Sequence, residues 1–166
     1  MSCTECLGIA PKVYPFSNLE LELGDEQLTD VGSLICNFEK CEELEKERFC
    51  SNCKVICKFE KSLTIKTIPC WLVILFKRFK RKDGQSVKLS NNIYFTFEDF
   101  PLAGKVLDLY GIVCHTGSKK SGHYYSFVLV HGQWFLCNDD KILSVSKDSI
   151  LKAQKEIYML FYKLRT

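Results

Sequence analysis

No hydrophobic run in this chain is long enough to cross a bilayer. The longest, Cys70 to Phe76, is too short for a spanning helix, so no membrane partner is expected. Nothing like an export signal opens the chain: Met1-Ser2-Cys3 leads into a cysteine pair with no basic or apolar leader. A strong excess of one charge sign is missing too. A net charge of +3 over 166 residues is too small to argue for a nucleic-acid partner. Internal repeats and low-complexity segments are absent, which excludes solenoids and disordered tails. What remains is 46% apolar residues with interspersed charges, enough for one core of good size or a lobe attached to a larger one.

Cysteine is what the chain has, ten of them. Without an export signal they point to a reducing, intracellular setting (cytoplasm, nucleus or both) and to metal ligation rather than a disulfide scaffold. Cys3-x-x-Cys6 and Cys50-x-x-Cys53 together supply the four thiolates of a tetrahedral Zn2+ site, across 43 intervening residues. Four protein thiolates leave no open position for substrate, so the expected zinc is structural. Cys36 and Cys41 fall in an expected helix from Val31 to Glu47, starting near Asp30, whose charged run Glu39 to Glu47 is its solvated face. Cys57, Cys70, Cys114 and Cys137 lie in apolar or strand-like runs and read as small core residues.

Alternation from Leu19 to Leu23 predicts a half-buried strand, and Val55 to Lys66 another. Cys70 to Phe76 is uniformly apolar, as in a central strand buried on both faces. The basic run Lys77 to Lys82 reads as a strand leaving the core for solvent, with phosphate contact the lesser alternative. Val87 to Phe97 contains a further strand or two, and Leu107 to His115 feeds the most informative stretch. Beyond it, a short helix from Ser146 to Lys155, capped by Ser146 or Asp148, precedes a last strand from Ile157 to Tyr162.

That stretch is His115 to Asp140, HTGSKKSGHYYSFVLVHGQWFLCNDD. A strand beginning at His123, a two-residue loop at His131-Gly132 and a return strand ending at Asn138 make a hairpin. Such a loop pairs Val130 with Gln133, sets His123 opposite Asp140 and sets Asn138 opposite Tyr125. His123 and Asn138 then share a face as diagonal neighbours about 7 Å apart at the backbone, while Asp139 points to the other face. A bulge or a longer loop would reverse the preference for Asn138 over Asp139.

In order, the chain carries the two CxxC pairs, Ile68-Pro69 followed by LVILFKRF, LYGIVCHTG from Leu109, Ser121-Gly122-His123-Tyr124, WFLCND from Trp134 and a terminal YMLFY. This series resembles the second half of the catalytic domain of ubiquitin-specific proteases, the deubiquitinating cysteine proteases. The resemblance implies an α+β, papain-like cysteine protease fold of that type, with an antiparallel palm sheet, zinc-ribbon-like fingers and no thumb. Residues 1–67 would be fingers and 68–166 palm.

It also implies catalytic His123 and Asn138, with Asp139 beside them. Gly117, Gly122 and Tyr124 would border an extended glycine-rich peptide tail, such as that of ubiquitin. Ubiquitin and ubiquitinated proteins are the implied partners, and thiol-dependent isopeptide hydrolysis the implied activity. The family's nucleophile lies in a Gly-Asn-(Ser/Thr)-Cys-aromatic box opening a helix, and none of the ten cysteines here sits in one. The chain alone is therefore expected to be inactive, as a fragment of an enzyme or as a non-catalytic ubiquitin-binding derivative. A zinc-ribbon nucleic-acid binder is the remote alternative.

Overall fold

The computed structural model describes residues 1–26 and 28–165. Gln27 and Thr166, each inside one of the two expected domain ranges, lie outside the described residues. An eight-stranded sheet dominates. Seven strands run across it in the order Lys141–Val145, Gln133–Asn138, Gly122–Val130, Lys105–Gly117, Ile157–Leu164, Trp71–Lys77 and Asn18–Glu22, and Phe100–Leu102 pairs beside Lys105–Gly117. Every pairing is antiparallel except the last, where Asn18–Glu22 runs parallel to Trp71–Lys77.

Strand alternation decides which side chains face the core. Leu72, Ile74 and Phe76 are buried with Leu19 and Leu21 of the parallel neighbour and with Leu160 and Tyr162 on the other side. The opposite face of the same strand is only half covered: Val73 and Leu75 are intermediate and Trp71 is exposed. The uniformly apolar run is therefore not buried on both faces. Its second face instead carries an aromatic row in which Trp71 meets Tyr110 edge-on at 4.8 Å and Tyr110 meets Phe161 at 6.1 Å.

The helix is shorter than its periodicity predicts. It covers Val31–Glu39, capped by the Asp30 carboxylate accepting from the Ser33 backbone N–H, and packs Val31, Leu34 and Ile35 into the large core. It stops because Glu42–Glu43 is drawn into a small sheet beside Phe59–Lys61, where Lys58 and Lys61 pair with Glu43 and Glu42. Cys41 thus lies outside the helix. The predicted strand from Val55 to Lys66 is likewise divided into Ile56–Cys57 and Phe59–Lys61, which serve different two- and three-stranded sheets.

Core packing does not follow chain order. Leu19, Leu21, Leu23, Val31, Leu34 and Ile35, all inside the expected fingers range, join the large core of the eight-stranded sheet. A separate small cluster holds Cys3, Cys50 and Cys57, with Cys6, Cys53 and Phe59 against it.

The basic run also behaves unlike its composition. Phe79–Lys82 does leave the core, as a hairpin with Gln85–Lys88 closed by Asp83 and Gly84 at φ 50° and 78°. Arg78, however, is 0% exposed. Its guanidinium donates to the carbonyl oxygens of Ile157, Leu89, Asn91 and Gln154, which ties the sheet to the loops beside it. Burial pulls its pKa down to about 10, and a guanidinium still carries its charge at neutral pH. The last helix is Lys147–Leu151, capped by Ser146 accepting from the Ser149 N–H. Lys141–Val145, not foreseen as a strand, forms the sheet edge before it.

Candidate functional site

The hairpin register is the one a two-residue loop dictates: Val130 pairs with Gln133 and Ser126 with Cys137. His131 and Gly132 both take positive φ, 47° and 81°, matching the twist of the flanking strands. The ladder ends at Ser126 and Cys137, so the expected opposition of His123 to Asp140 is not formed. Beyond that point His123 pairs with Thr116 on its other side, and Asn138 opens a second hairpin by pairing with Lys141. The two strands splay, yet their side chains meet. His123 Nε2 lies 2.5 Å from Asn138 Oδ1.

An amide oxygen can only accept. Nε2 therefore carries the hydrogen, and the imidazole keeps a free lone pair on Nδ1. The His123 side chain is 46% exposed, so that lone pair can receive a proton from a group brought to it.

Asp139 departs from the expected geometry. It is not directed to an opposite strand face, because it heads the tight turn at φ 52° and has left the alternation of the strand. Its Oδ2 stands 4.0 Å from His123 Nε2, outside hydrogen-bond reach but inside electrostatic reach. An open cleft of about 340 Å³ beside it is lined by Val113, Tyr124, Tyr125, Ser126, Cys137 and Asp139.

Gly117 and Gly122 face each other across the ladder below His123. Each lacks a side chain for a reason internal to the fold. At Gly117, φ is +90° and a Cβ would stand 2.6 Å from the Ser121 carbonyl oxygen. At Gly122 a Cβ would collide with the His115 ring and the Thr116 carbonyl oxygen. Tyr124 is 54% exposed and lies 4.6 Å from the His115 ring, centroid to centroid.

His115 was not singled out from the sequence. It is 3% exposed, its Nδ1 has no hydrogen-bond partner among the described residues, and burial followed by the charge of Lys88 lowers its pKa. Arg78 was overlooked because five of its neighbours in the basic run are solvent-facing or on the hairpin; only the carbonyls converging on it distinguish it.

At the other end of the molecule Cys3, Cys6, Cys50 and Cys53 come together. One sulfur from each lies within 4.8 Å of all the others, and two of the edges, Cys3–Cys53 and Cys6–Cys50, are both 3.8 Å. Two antiparallel pairs position them, Ser2–Cys3 with Phe59–Lys61 and Arg48–Phe49 with Ile56–Cys57. The cluster could hold a metal ion. Asn52 Nδ2 donates to Cys6 Sγ at 3.1 Å, the first cause of its lowered pKa. Backbone hydrogen bonding at Cys6 is the first cause of the lowering at Cys3. Burial raises Cys53 and Cys57. Cys57 is buried, as expected of a small core residue, and its sulfur lies 3.2 Å from that of Cys3. Cys70 is exposed and Cys137 intermediate, so neither is the buried core thiol expected.

A histidine–amide pair at the end of a long antiparallel sheet, with a four-cysteine cluster on short outlying strands, is the palm-and-fingers architecture of deubiquitinating cysteine proteases of the ubiquitin-specific type. Residues 1–162 match the family described as ubiquitin carboxyl-terminal hydrolase, and the chain belongs to that family. It is 32% identical over 173 residues to ubiquitin carboxyl-terminal hydrolase 8 of Saccharomyces cerevisiae, covering 92% of this chain and 36% of the yeast protein. It is 29% identical over 176 residues to the mouse ubiquitin carboxyl-terminal hydrolase 17-like protein D, covering all of this chain and 32% of that protein. The chain thus spans about a third of the length of these curated relatives. Among solved structures, the yeast SAGA deubiquitinating module bound to monoubiquitin superposes with a TM-score of 0.87 at 28% identity, over 99% of this chain and 39% of the matched one. The same module bound to ubiquitin aldehyde gives a TM-score of 0.84 at 28% identity, over 99% and 40%. Among the described residues, no helix is long and apolar enough to cross a membrane.

Proposed function

We propose that this chain supplies the histidine half of a thiol-dependent ubiquitinyl hydrolase site, completed by a cysteine lying outside the 166 residues. The observation that carries the reading is the His123–Asn138 contact, which leaves Nδ1 as the base. His123 takes the proton of that thiol and stabilises the thiolate. It then returns the proton to the departing lysine amine of an isopeptide. Asn138 holds the tautomer and ring plane. Asp139 stands 4.0 Å from the ring, without a hydrogen bond to it, as a second partner in the site. The backbones of Gly117 and Gly122 and the exposed ring of Tyr124 border the path of the ubiquitin tail. Ubiquitin and ubiquitinated proteins are the partners this implies.

Zinc is the metal proposed for Cys3, Cys6, Cys50 and Cys53. A regular ZnS₄ tetrahedron with Zn–S of about 2.3 Å has edges of about 3.8 Å. Two of the edges match that value. With four thiolate ligands the ion has a structural role, holding the short strands of the fingers. The outlying strands around this cluster are the fingers, and residues 68–166 with the strand and helix between Asn18 and Glu39 are the palm.

Incubation with a ubiquitin C-terminal fluorogenic amide tests the reading. The chain alone gives no turnover. A chimera carrying the amino-terminal lobe of the yeast relative gives turnover that iodoacetamide abolishes. Thiol-dependent turnover by the chain alone would overturn the split-site reading. An inactive chimera that still binds ubiquitin would make the chain a binding module.

A further inference from the structure

The sulfur nearest to the metal-binding cluster does not belong to it. Cys57 Sγ lies 3.2 Å from Cys3 Sγ, closer than the 3.8 Å that separates Cys3 from Cys53. Cys57 is 5% exposed, and its side chain has no other hydrogen-bond partner among the described residues. The pairing of Cys57 with Arg48 holds its backbone in place, so the short approach comes from the fold rather than from a mobile side chain. Four thiolates complete a tetrahedral shell, leaving Cys57 outside it as a free thiol in contact with a ligand. A disulfide bond of about 2.05 Å needs the two sulfurs to close by only about 1.2 Å.

We propose that Cys3 and Cys57 form an oxidative modification site, at which a hydroperoxide converts the pair to a disulfide and the cluster loses one metal ligand. This rests on the zinc reading above. The Cys3 thiolate attacks one oxygen of hydrogen peroxide; an S–O bond forms, the O–O bond breaks and hydroxide leaves. Cys57 sulfur then attacks that sulfenic sulfur, forming the S–S bond and breaking the S–O bond. The departing hydroxide takes the Cys57 proton and becomes water. Two electrons pass from the two sulfurs to the peroxide, which ends as one water and one hydroxide.

Access comes from the edge. Ser2–Cys3 is a two-residue strand at the border of its sheet, paired there with Phe59–Lys61 and bridged on its other side to Ile9, and local opening of so short an edge exposes Cys3. With Cys3 withdrawn, three thiolates remain for the metal, which passes to a competing chelator. A dithiol reductant restores the site.

The test treats the zinc-loaded full chain with hydrogen peroxide in the presence of a chromogenic zinc chelator, and maps disulfides by peptide mass spectrometry. Wild type should release zinc as a Cys3–Cys57 peptide appears. Cys57→Ser should bind one zinc but release it at least about tenfold more slowly, because the resolving thiol is gone. Equal release rates from the two proteins, or a Cys50–Cys53 or Cys3–Cys6 bridge in oxidised wild type, would overturn the proposal. If reduced wild type holds no zinc, it is the zinc reading that fails. Peptide mapping then decides alone, for the proposal if the Cys3–Cys57 bridge forms and against it if it does not. Mapping of wild type decides in the same way if Cys57→Ser does not fold.

Discussion

The Nε2 of His123 lies 2.5 Å from Oδ1 of Asn138, although the ladder between their strands stops at Ser126 and Cys137. The contact therefore depends on two hairpins at once. One sets the strand register, and the other, closed at Asp139 and Asp140, pairs Asn138 with Lys141 at the end of its strand, where its side chain reaches the ring.

In the chimera described above, His123→Ala should abolish turnover, since no other group stands ready to accept the thiol proton. Asn138→Ala should cost about 10²-fold in kcat/KM, because a cysteine is intrinsically nucleophilic and the amide only orients the ring. Asp139→Ala should cost less, acting from 4.0 Å without a hydrogen bond. Steady-state kinetics of the single variants check the order, and a larger loss at Asp139 than at Asn138 would assign orientation to the carboxylate.

Metal removal should act locally. The cysteine cluster has its own small core, separate from the large one, so chelation should cost the outlying strands their order while the sheet survives. Metal analysis should give about one zinc per chain with Zn–S distances near 2.3 Å. Hydrogen exchange after chelation should quicken at Ser2–Cys3 and Arg48–Phe49 and stay slow at Trp71–Lys77. Uniformly unchanged exchange would contradict a metal-held fingers region.

Gly122→Ala should destabilise the protein by about 1–3 kcal/mol, since the new methyl meets the His115 ring and backbone at Thr116. The same strain displaces the adjoining His123, so turnover of the chimera should fall as well. Gly84→Ala is the contrast. Its φ of +78° imposes backbone strain of about 1 kcal/mol, but nothing lies within 4 Å of the added atom and catalysis should be untouched. Denaturant midpoints and kcat for both variants separate crowding at the site from strain in a remote turn.

His115 should make stability acid-sensitive. Burial, then the charge of Lys88, lowers its folded-state pKa below the usual 6.5. Below 6.5 the unfolded chain binds the proton that the folded chain refuses, so stability falls as pH falls through that value. The loss levels off once the pH is under the folded pKa, and above 6.5 the group contributes no slope. Urea unfolding at pH 7.5 and 5.5 should show a smaller drop for His115→Gln than for wild type. Equal drops would mean that the buried imidazole is protonated freely.

The sequence by itself determined what is local. Two CxxC pairs marked the four cysteines that come together, a His-Gly loop set a hairpin register, and alternation placed Leu19 and Leu21. A turn type or a period of two needs only neighbours along the chain. Tertiary structure decided whatever depends on a partner distant in sequence. Glu42–Glu43 was claimed from a helical pattern by a strand and lysines 15 and 19 residues on, because tertiary strand pairing overrides local helix propensity. Arg78 was taken out of a basic run by carbonyls up to 79 residues away. Asp139 was brought back beside His123 by a turn that alternation does not describe. Cys57 came to rest against Cys3 because two separate strand pairs converge there, and no spacing rule links residues 54 apart.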